Sequence, residues 1–332
     1  MKKNNPKILR KRMTFYVLML SFLAIFSVSC EKENEVVPEE PSPSDMTITE
    51  ILESYGETQP GDDSMLKRGH RDRPTFRTLT RALVRTRLIR TVVFNELTVF
   101  APTDDAFAEL GLNPRNIVRV PNLKEILLYH VLGEPVFSGD LVEGFVPTLN
   151  GAAVEINLDD GVMVNDAQVT KADIRALNGV IHIIDKVLIP PDKNLVELAL
   201  SFDPEFSILV DAVIKAELDE TLAEGGPFTV FAPTNEAFVN LLGELGYSSL
   251  DEIPTDLLTQ VLLYHVVEGR VFSSDLTSGP VTTLNGDFEL NLGTLVITDA
   301  NDREANLVPE LLNVQATNGV IHVIDRVILP EL

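Results

Sequence analysis

Histidines are the residues of this 332-residue chain best suited to catalysis or metal binding, because imidazole serves both as a general base and as a metal ligand. Four of the five lie at matching places in two copies of a repeated sequence, and His70 stands apart. The repeated ones are His130 and His182 in the first copy and His265 and His322 in the second. Two hypotheses follow, a reactive or metal site and a structural role, and the neighbouring residues discriminate between them.

Two of these histidines are predicted to lie on helices. In the stretch TDLLTQVLLYHVV, Leu258, Val261 and Leu262 lead to His265 with helical spacing. The histidine therefore belongs to the apolar face that packs on a core. The matching positions of the first copy are Leu123, Ile126, Leu127 and His130.

The other two histidines lie in near-identical segments, NGVIHIIDKVLIP (178–190) and NGVIHVIDRVILP (318–330), which share nine of thirteen residues. Alternation along a strand puts His182 on one face with Val180 and Ile184. Buried imidazoles usually form hydrogen bonds to backbone or hydroxyl groups. We therefore predict that His182 and His322 are structural core residues.

Reactive alternatives find little support in the rest of the sequence. Two histidines per copy leave a zinc site short of ligands, and the chain's single cysteine is Cys30. Neither a nucleophile elbow nor a glycine-rich phosphate loop is present in the sequence. The acidic stretch DANDRE (299–304) lacks the pattern of a calcium loop. The sequence predicts no catalytic residues, no metal site and no cofactor, so we expect a protein that is not an enzyme.

The elements that position the histidines are themselves repeated. LTVFAPTDDAFAEL (97–110) pairs with FTVFAPTNEAFVNL (228–241), and LLYHVLGEPVFSGDL (127–141) pairs with LLYHVVEGRVFSSDL (262–276). A unit of about 140 residues is a whole domain rather than a solenoid repeat. The predicted domains are 45–190 and 191–332.

Each copy places helical patterns early and strand patterns late, which indicates the α+β class. Thr103 and Thr234 directly follow predicted strands and suit helix N-caps. PTLNGAAVEINLDDGVMV and TTLNGDFELNLG alternate around turn signals and predict hairpins. The first copy also carries an extra loop at 54–73.

The three repeated blocks, in this order and spacing, resemble the fasciclin domain. TVFAPTxxAF resembles its first signature, YH its central helix motif and NGVIHVID its closing signature. The resemblance covers roughly residues 45–332. It implies two tandem domains, each a wedge-shaped β-sandwich with packed helices, and it implies non-covalent adhesion.

In animal members of the family, the YH region has been proposed as a determinant of cell adhesion. The matching positions here are Tyr129, His130, Tyr264 and His265. If the histidines are buried, only the tyrosines and their neighbours could touch a partner directly. Packing at the margin of the core is the alternative role for the tyrosines.

The charge distribution indicates which partners are possible. A formal net charge of −23 argues against nucleic-acid binding, because phosphates would be repelled. Against this background, Arg77, Arg81 and Arg85 recur every four residues on a predicted helix. Like charges at this spacing repel each other, so we predict an acidic neighbour. Either the second domain, with 24 acidic and 5 basic residues, or an external anionic polysaccharide could supply it.

The N-terminus is typical of an exported lipoprotein. Residues 1–29 combine a basic start with an apolar run and form a predicted signal peptide. Cys30 follows small residues, as in a bacterial lipobox, and is the predicted lipidation site. Residues 30–44 are acidic and proline-rich, which suits an extended tether. Acidic residues behind the cysteine resemble export signals of Bacteroidota lipoproteins. We therefore expect a lipid anchor in the outer membrane of a cell envelope and exposure at the surface.

Together these features predict a cell-surface adhesion protein that contacts a surface protein, a matrix protein or a polysaccharide of unknown identity. One alternative is an accessory polysaccharide-binding lipoprotein that serves nutrient capture. A second alternative is a hydrolase of envelope polysaccharide, for which the sequence offers no catalytic pair.

Overall fold

The computed structural model describes residues 42–55 and 74–331. The predicted signal peptide, Cys30, His70 and most of the predicted tether lie outside these residues. Of the predicted extra loop at 54–73, only the first two residues are described, and Ser54 still belongs to a helix. The described residues of both domains belong to one compact unit.

The first domain places its helices early and most of its strands late, as the sequence predicts. Its helices are α1 (Ile48–Ser54), α2 (Arg77–Thr86), α3 (Ile89–Phe94), α4 (Asp104–Glu109) and α5 (Leu123–Tyr129). Its strands are β1 (Leu97–Pro102), β2 (Val131–Leu132), β3 (Gly144–Pro147), β4 (Ala153–Asn157), β5 (Met163–Val164), β6 (Ala167–Ala176) and β7 (Gly179–Ile184).

The second domain repeats this order, which confirms a tandem α+β protein. Its helices are α6 (Leu195–Ser201), α7 (Ser207–Lys215), α8 (Asp219–Glu224), α9 (Asn235–Leu245) and α10 (Thr255–Tyr264). Its strands are β8 (Phe228–Pro233), β9 (Val266–Glu268), β10 (Gly279–Thr283), β11 (Gly286–Asn291), β12 (Val296–Thr298), β13 (Glu304–Asn306), β14 (Val314–Ala316) and β15 (Gly319–Ile324).

The two domains differ in how their strands join. The first has one seven-stranded sheet in the order β2-β1-β7-β6-β5-β4-β3, in which only β1 and β7 run parallel. The long strand β6 changes register twice between Val169 and Ile174 and so links the two halves of the sheet. The second domain has two four-stranded sheets, β14-β15-β8-β9 and β10-β11-β12-β13. A short 3₁₀ turn at Pro309–Leu311 separates β13 from β14, where the first domain has the single strand β6.

The closing strand of each domain contributes to two apolar layers. In β7, Ile181 and Ile183 pack into the core that holds the helices. Ile184 points the other way and packs with Val154 and Ile156 of β4. This alternation is what the strand pattern predicts. The part of the sheet that contains β7 therefore lies between a layer of helices and a layer of hairpin strands.

Polar side chains fix the starts of the helices that follow the first repeated strand. The Thr103 hydroxyl accepts the N–H of Ala106 at 3.1 Å, and that of Thr234 accepts the N–H of Ala237 at 3.2 Å. Both predicted N-caps are thus confirmed. The predicted hairpins are also present as β3–β4 and β10–β11.

Candidate functional site

The histidines that follow helices α5 and α10 are buried, and backbone groups occupy both nitrogens of each ring. Nδ1 of His130 lies 2.8 Å from the carbonyl oxygen of Ile126, and Nε2 accepts the N–H of Leu188 at 2.9 Å. The same two contacts recur at the matching positions around His265, at 2.7 and 3.1 Å. Because a carbonyl can only accept, Nδ1 carries the proton. Each ring therefore ties the end of a helix to the segment that follows the closing strand.

The histidines of the closing strands use the opposite arrangement. Nε2 of His182 donates to the carbonyl oxygen of Val136 at 2.9 Å, and Nδ1 accepts the N–H of Asp173 at 3.3 Å. His322 has the equivalent bonds, at 2.9 and 3.3 Å. The proton of these two rings therefore lies on Nε2.

Burial disfavours the charged form of all four rings. It lowers the pKa of His130 and of His265 from 6.5 to about 4, although a backbone carbonyl opposes the shift. It lowers the pKa of His182 and of His322 in the same way. A second ring proton would face a backbone N–H, and no lone pair is left for a metal or a substrate. This geometry suits structural core residues and does not suit a general base.

The tyrosines of the YH motifs are buried as well. Tyr129 is 2% exposed and donates to the carbonyl oxygen of Ala153 at 2.7 Å, while Tyr264 is 1% exposed and donates to that of Asp287 at 2.6 Å. Burial raises the pKa of both hydroxyls. The hairpin strands cover the margin of each helix, which the helical pattern alone leaves open. The burial of Tyr129, Tyr264, His130 and His265 favours packing in the core, the alternative role, over direct contact with a partner.

The asparagine of each NG turn has a role that the sequence patterns do not predict. Asn178 accepts the N–H of Ile48 at 2.9 Å through Oδ1 and donates to the carbonyl oxygen of Val92 through Nδ2. Asn318 likewise accepts the N–H of Leu195 at 2.9 Å. Each amide therefore joins the first helix of its domain to the closing strand. The sequence signal for this role is that asparagine precedes the glycine in both copies, although a turn can be formed with other residues at that position.

Helix α2 presents the predicted arginines to solvent. Arg77, Arg81 and Arg85 are exposed, while Leu79 and Leu83 on the other side are buried. Among the residues that the structure describes, no salt bridge involves Arg81 or Arg85. We call these three arginines the basic face. Further exposed side chains nearby are Arg87, Arg90 and Phe94, the last of them 79% exposed.

The basic face is held in place by the helix that follows the first repeated strand. The carboxylate of Asp104 accepts the N–H of Thr78 at 2.7 Å and the hydroxyl of Thr75 at 2.5 Å. It also accepts the backbone N–H of Arg77 at 3.2 Å. Asp104, which lies in the repeated block LTVFAPTDDAFAEL, thus caps the N-terminus of the helix that carries the arginines.

The two domains meet at another surface. The rings of Phe145 on β3 and Phe272 stack with centroids 4.2 Å apart and planes 6° apart. The side-chain amide of Gln315 bonds to both backbone groups of Ala153, at 2.9 and 3.0 Å. These contacts use β3 and β4 of the first domain, whereas α2 packs on α1, α4 and α5 of its own domain. The observed domain contacts therefore do not place the acidic second domain against the basic face.

Metal sites, membrane-spanning helices and the lipidation site remain to be considered. Within residues 42–55 and 74–331, no group of three or more His, Cys, Asp or Glu side chains could hold a metal ion. None of the helices in the same residues is long and apolar enough to cross a membrane. The predicted lipidation site Cys30 lies outside the described residues.

Comparison with known proteins places both halves of the chain in one family. The Fasciclin domain family matches residues 74–190 and 204–330. The chain is 42% identical over 142 residues to Protein sll1483 of Synechocystis sp., across 42% of this chain and 74% of that protein. It is 34% identical over 244 residues to human periostin, across 71% of this chain and 27% of that protein. With the transforming growth factor-beta-induced protein ig-h3 of Sus scrofa, it shares 31% identity over 247 residues, across 70% of this chain and 35% of that protein.

The chain thus spans about a third or less of the two animal relatives. Among solved structures, it is similar to a FAS1 domain pair from the insect cell adhesion molecule fasciclin I. That match has 23% identity and a TM-score of 0.35, and it covers 76% of this chain and 96% of the other.

Proposed function

Because this chain belongs to the Fasciclin domain family, we propose that it is a non-enzymatic binding protein that mediates adhesion at the cell surface. The bonding of the histidines, the side chains best suited to catalysis, supports this proposal. Each of the four repeated histidines bonds to the backbone through both ring nitrogens. We therefore expect a partner to bind to exposed surfaces, and two domains provide more than one such surface.

The anchoring segment belongs to the same proposal. A signal peptide at 1–29, lipid on Cys30 and a tether at 30–44 would hold the two domains outside the outer membrane. Acyl chains anchor a protein by burying their methylene groups in the bilayer. Cys30→Ala should release the protein from the membrane fraction, and retention of that variant in the membrane would contradict the anchor.

The basic face is the contact surface that the structure supports best. Three exposed arginines follow one another along α2 in a chain that otherwise carries excess negative charge. Four helical residues rise about 6 Å, so the guanidinium groups form a row with that repeat. Guanidinium groups pair with carboxylate through two parallel hydrogen bonds. The ligand class that fits is an acidic polysaccharide with regularly spaced carboxylate or sulfate groups.

Binding of the full chain to immobilised acidic polysaccharide at low salt tests this function. Arg77→Ala, Arg81→Ala and Arg85→Ala together should weaken binding by roughly tenfold or more, and added salt should weaken wild-type binding. The matched control replaces Lys171, Lys186 and Lys193 by Ala, which removes the same charge from the surface elsewhere. That control should bind as the wild type does.

Two results would argue against this proposal. Equal loss of binding in both triple variants would show that net charge, rather than the basic face, attracts the ligand. Unchanged retention of the arginine variant would remove the basic face as the contact surface. Tight binding of short soluble oligosaccharides without cell attachment would instead favour nutrient capture.

A further inference from the structure

The interface between the two domains uses surfaces that both domains possess. We call the surface around Phe272 and Gln315 the acceptor face of the second domain, and the β3–β4 edge with Phe145 and Ala153 the donor edge of the first. The repeat places an acceptor face on the first domain as well, at Phe137 and Arg175, and a donor edge on the second, at Pro280 and Asp287. Neither of these two takes part in the contact between the domains.

Hydrogen bonds show that the acceptor faces are built alike. In the first domain, Asp173 accepts the N–H of Ser138 at 2.7 Å. In the second, Asn313 accepts the N–H of Ser273 at the same distance. The backbone N–H groups of Asp173 and Asn313 each donate to the histidine of the closing strand, both at 3.3 Å.

The donor edges are also equivalent. Tyr129 donates to the carbonyl oxygen of Ala153, and Tyr264 donates to that of Asp287. Gly144 pairs with Ile156 where Gly279 pairs with Leu290. Asp287 therefore takes the place of Ala153. Pro280, one residue after Gly279, takes the place of Phe145.

The acceptor face of the first domain holds its aromatic ring beneath a cation. The guanidinium carbon of Arg175 lies 4.6 Å from the ring centroid of Phe137. In the second domain, the equivalent ring, Phe272, is instead stacked with Phe145 of the first domain. Arg175 is exposed, and the structure gives it no salt bridge among the described residues.

At one pair of facing positions, the two sets of surfaces differ in a way that is complementary in charge. Within the chain, the neutral Gln315 meets Ala153. At the other two surfaces, the same positions hold Arg175 and Asp287, which carry opposite charges. Pro280 and Asp287 are both exposed. Complementary charges steer association and fix its register.

We propose that copies of this chain associate head to tail. The acceptor face of the first domain in one copy receives the donor edge of the second domain in another, with Arg175 paired to Asp287. The two surfaces differ, so the contact is heterologous, and in an associated pair one copy keeps a free donor edge while the other keeps a free acceptor face. The contact lacks the covalent link that raises the effective concentration within the chain, so it is weak in dilute solution and favoured on a crowded membrane.

Sedimentation equilibrium of the full chain, from micromolar to millimolar concentration at low salt, tests the proposal. The wild type should show concentration-dependent association, and Arg175→Asp or Asp287→Arg alone should raise the Kd by roughly fivefold or more. Combining both substitutions, or mixing the two single variants in equal amounts, should restore wild-type association because opposite charges meet again. Lys124→Asp and Glu220→Arg make the same charge changes at exposed positions elsewhere and should leave the Kd unchanged.

Absence of wild-type association up to millimolar concentration would overturn the proposal. So would single variants that associate as tightly as the wild type, since the contact would then use another surface. Failure of the mixture to recover association, with both single variants folded, would show that Arg175 and Asp287 do not meet.

Discussion

At the scale of single residues, the repeated histidines act as neutral cross-links between segments that are distant in sequence. His130 joins the helix end at Ile126 to the N–H of Leu188, 58 residues away. A leucine of similar size would fill the space but leave both backbone groups without a partner. Unpaired buried backbone groups cost about 1–3 kcal/mol each, which explains why the chain uses imidazole inside an apolar core.

Because the histidines are buried in their neutral form, the free energy of unfolding depends on pH. The unfolded histidines have a pKa near 6.5, whereas the helix-end pair has a pKa of about 4 in the fold. Between these values the unfolded chain binds more protons, so stability is full above pH 6.5 and declines as the pH falls towards 4. Each helix-end histidine should lower the free energy of unfolding by about 1 kcal/mol between pH 7 and pH 5.5. Urea unfolding midpoints at these two pH values, measured with His70→Gln, check this expectation.

Constant midpoints across that range would mean that the folded rings take up protons as easily as the unfolded ones. The carboxylates are a weak confounding factor here, because ordinary Asp and Glu residues titrate below this range.

The burial of the histidines could be predicted from sequence, but their tautomers could not. Helical spacing put His265 on the apolar face, and strand alternation put His182 inside the sheet. The proton position depends on which backbone groups come near, and tertiary packing decides that. The same reason explains why the sequence left two roles open for Tyr129 and Tyr264, whose hydroxyls bond to the hairpin strands.

At the scale of elements, the closing strand is the segment on which each domain depends most. It pairs in parallel with the first repeated strand, from Gly179 opposite Leu97 to Ile184 opposite Pro102. Gly179 has a φ of +142°, and a Cβ atom at this position would overlap the carbonyl oxygen of Leu97. The close approach of two backbones therefore requires glycine in the NG turn.

Gly179→Ala should be strongly destabilising, by more than about 3 kcal/mol, because the overlapping atom is backbone and cannot move aside. Gly151→Ala is the matched control, since its φ is +95° but nothing lies within 4 Å of the added Cβ. That variant should lose only about 1 kcal/mol, from backbone strain alone. Thermal unfolding of both variants separates the two effects, and similar losses would show that steric overlap is not the cause.

Local elements were predictable because their signals are local. The N-caps at Thr103 and Thr234, the helix that carries the basic face and both hairpins follow from neighbouring residues. The parallel pairing of β1 with β7 joins residues about 80 positions apart and leaves no periodic signal. The single strand β6 in one domain, against β13 and β14 in the other, depends on an insertion whose path sequence patterns do not fix.

At the scale of the whole molecule, the domain contact combines hydrogen bonds with ring stacking. Gln315 bonds to Ala153 as a neighbouring strand would, and Phe145 stacks on Phe272 beside it. Arg270 supports the same region by donating to the carbonyl oxygens of Ala316 and Thr317 at 3.0 Å. The domains should therefore tumble together rather than independently.

Gln315→Ala combined with Phe145→Ala should uncouple the domains, because it removes both hydrogen bonds to Ala153 and the ring contact. Backbone ¹⁵N relaxation should then give two rotational correlation times where the wild type gives one. Gln168→Ala, at an exposed position on β6, is the control and should leave a single value. One shared correlation time in the double variant would show that other contacts hold the domains together.

Duplication of the domain was evident from sequence, whereas the contact between the copies was not. Phe145 and Gln315 have different counterparts in the other copy, Pro280 and Arg175, so the repeat gave no indication that they meet. Only the packed arrangement shows which copy offers which surface. The basic face, by contrast, was visible as a periodic charge pattern.

The most direct test is ¹⁵N–¹H correlation spectroscopy of the imidazole rings near pH 7, with His70→Gln so that four rings remain. We predict four neutral rings, two protonated at Nδ1 and two at Nε2, with no exchange between tautomers. Charged or tautomerically averaged rings at that pH would show that the nitrogens are free for chemistry, and would contradict a purely structural role.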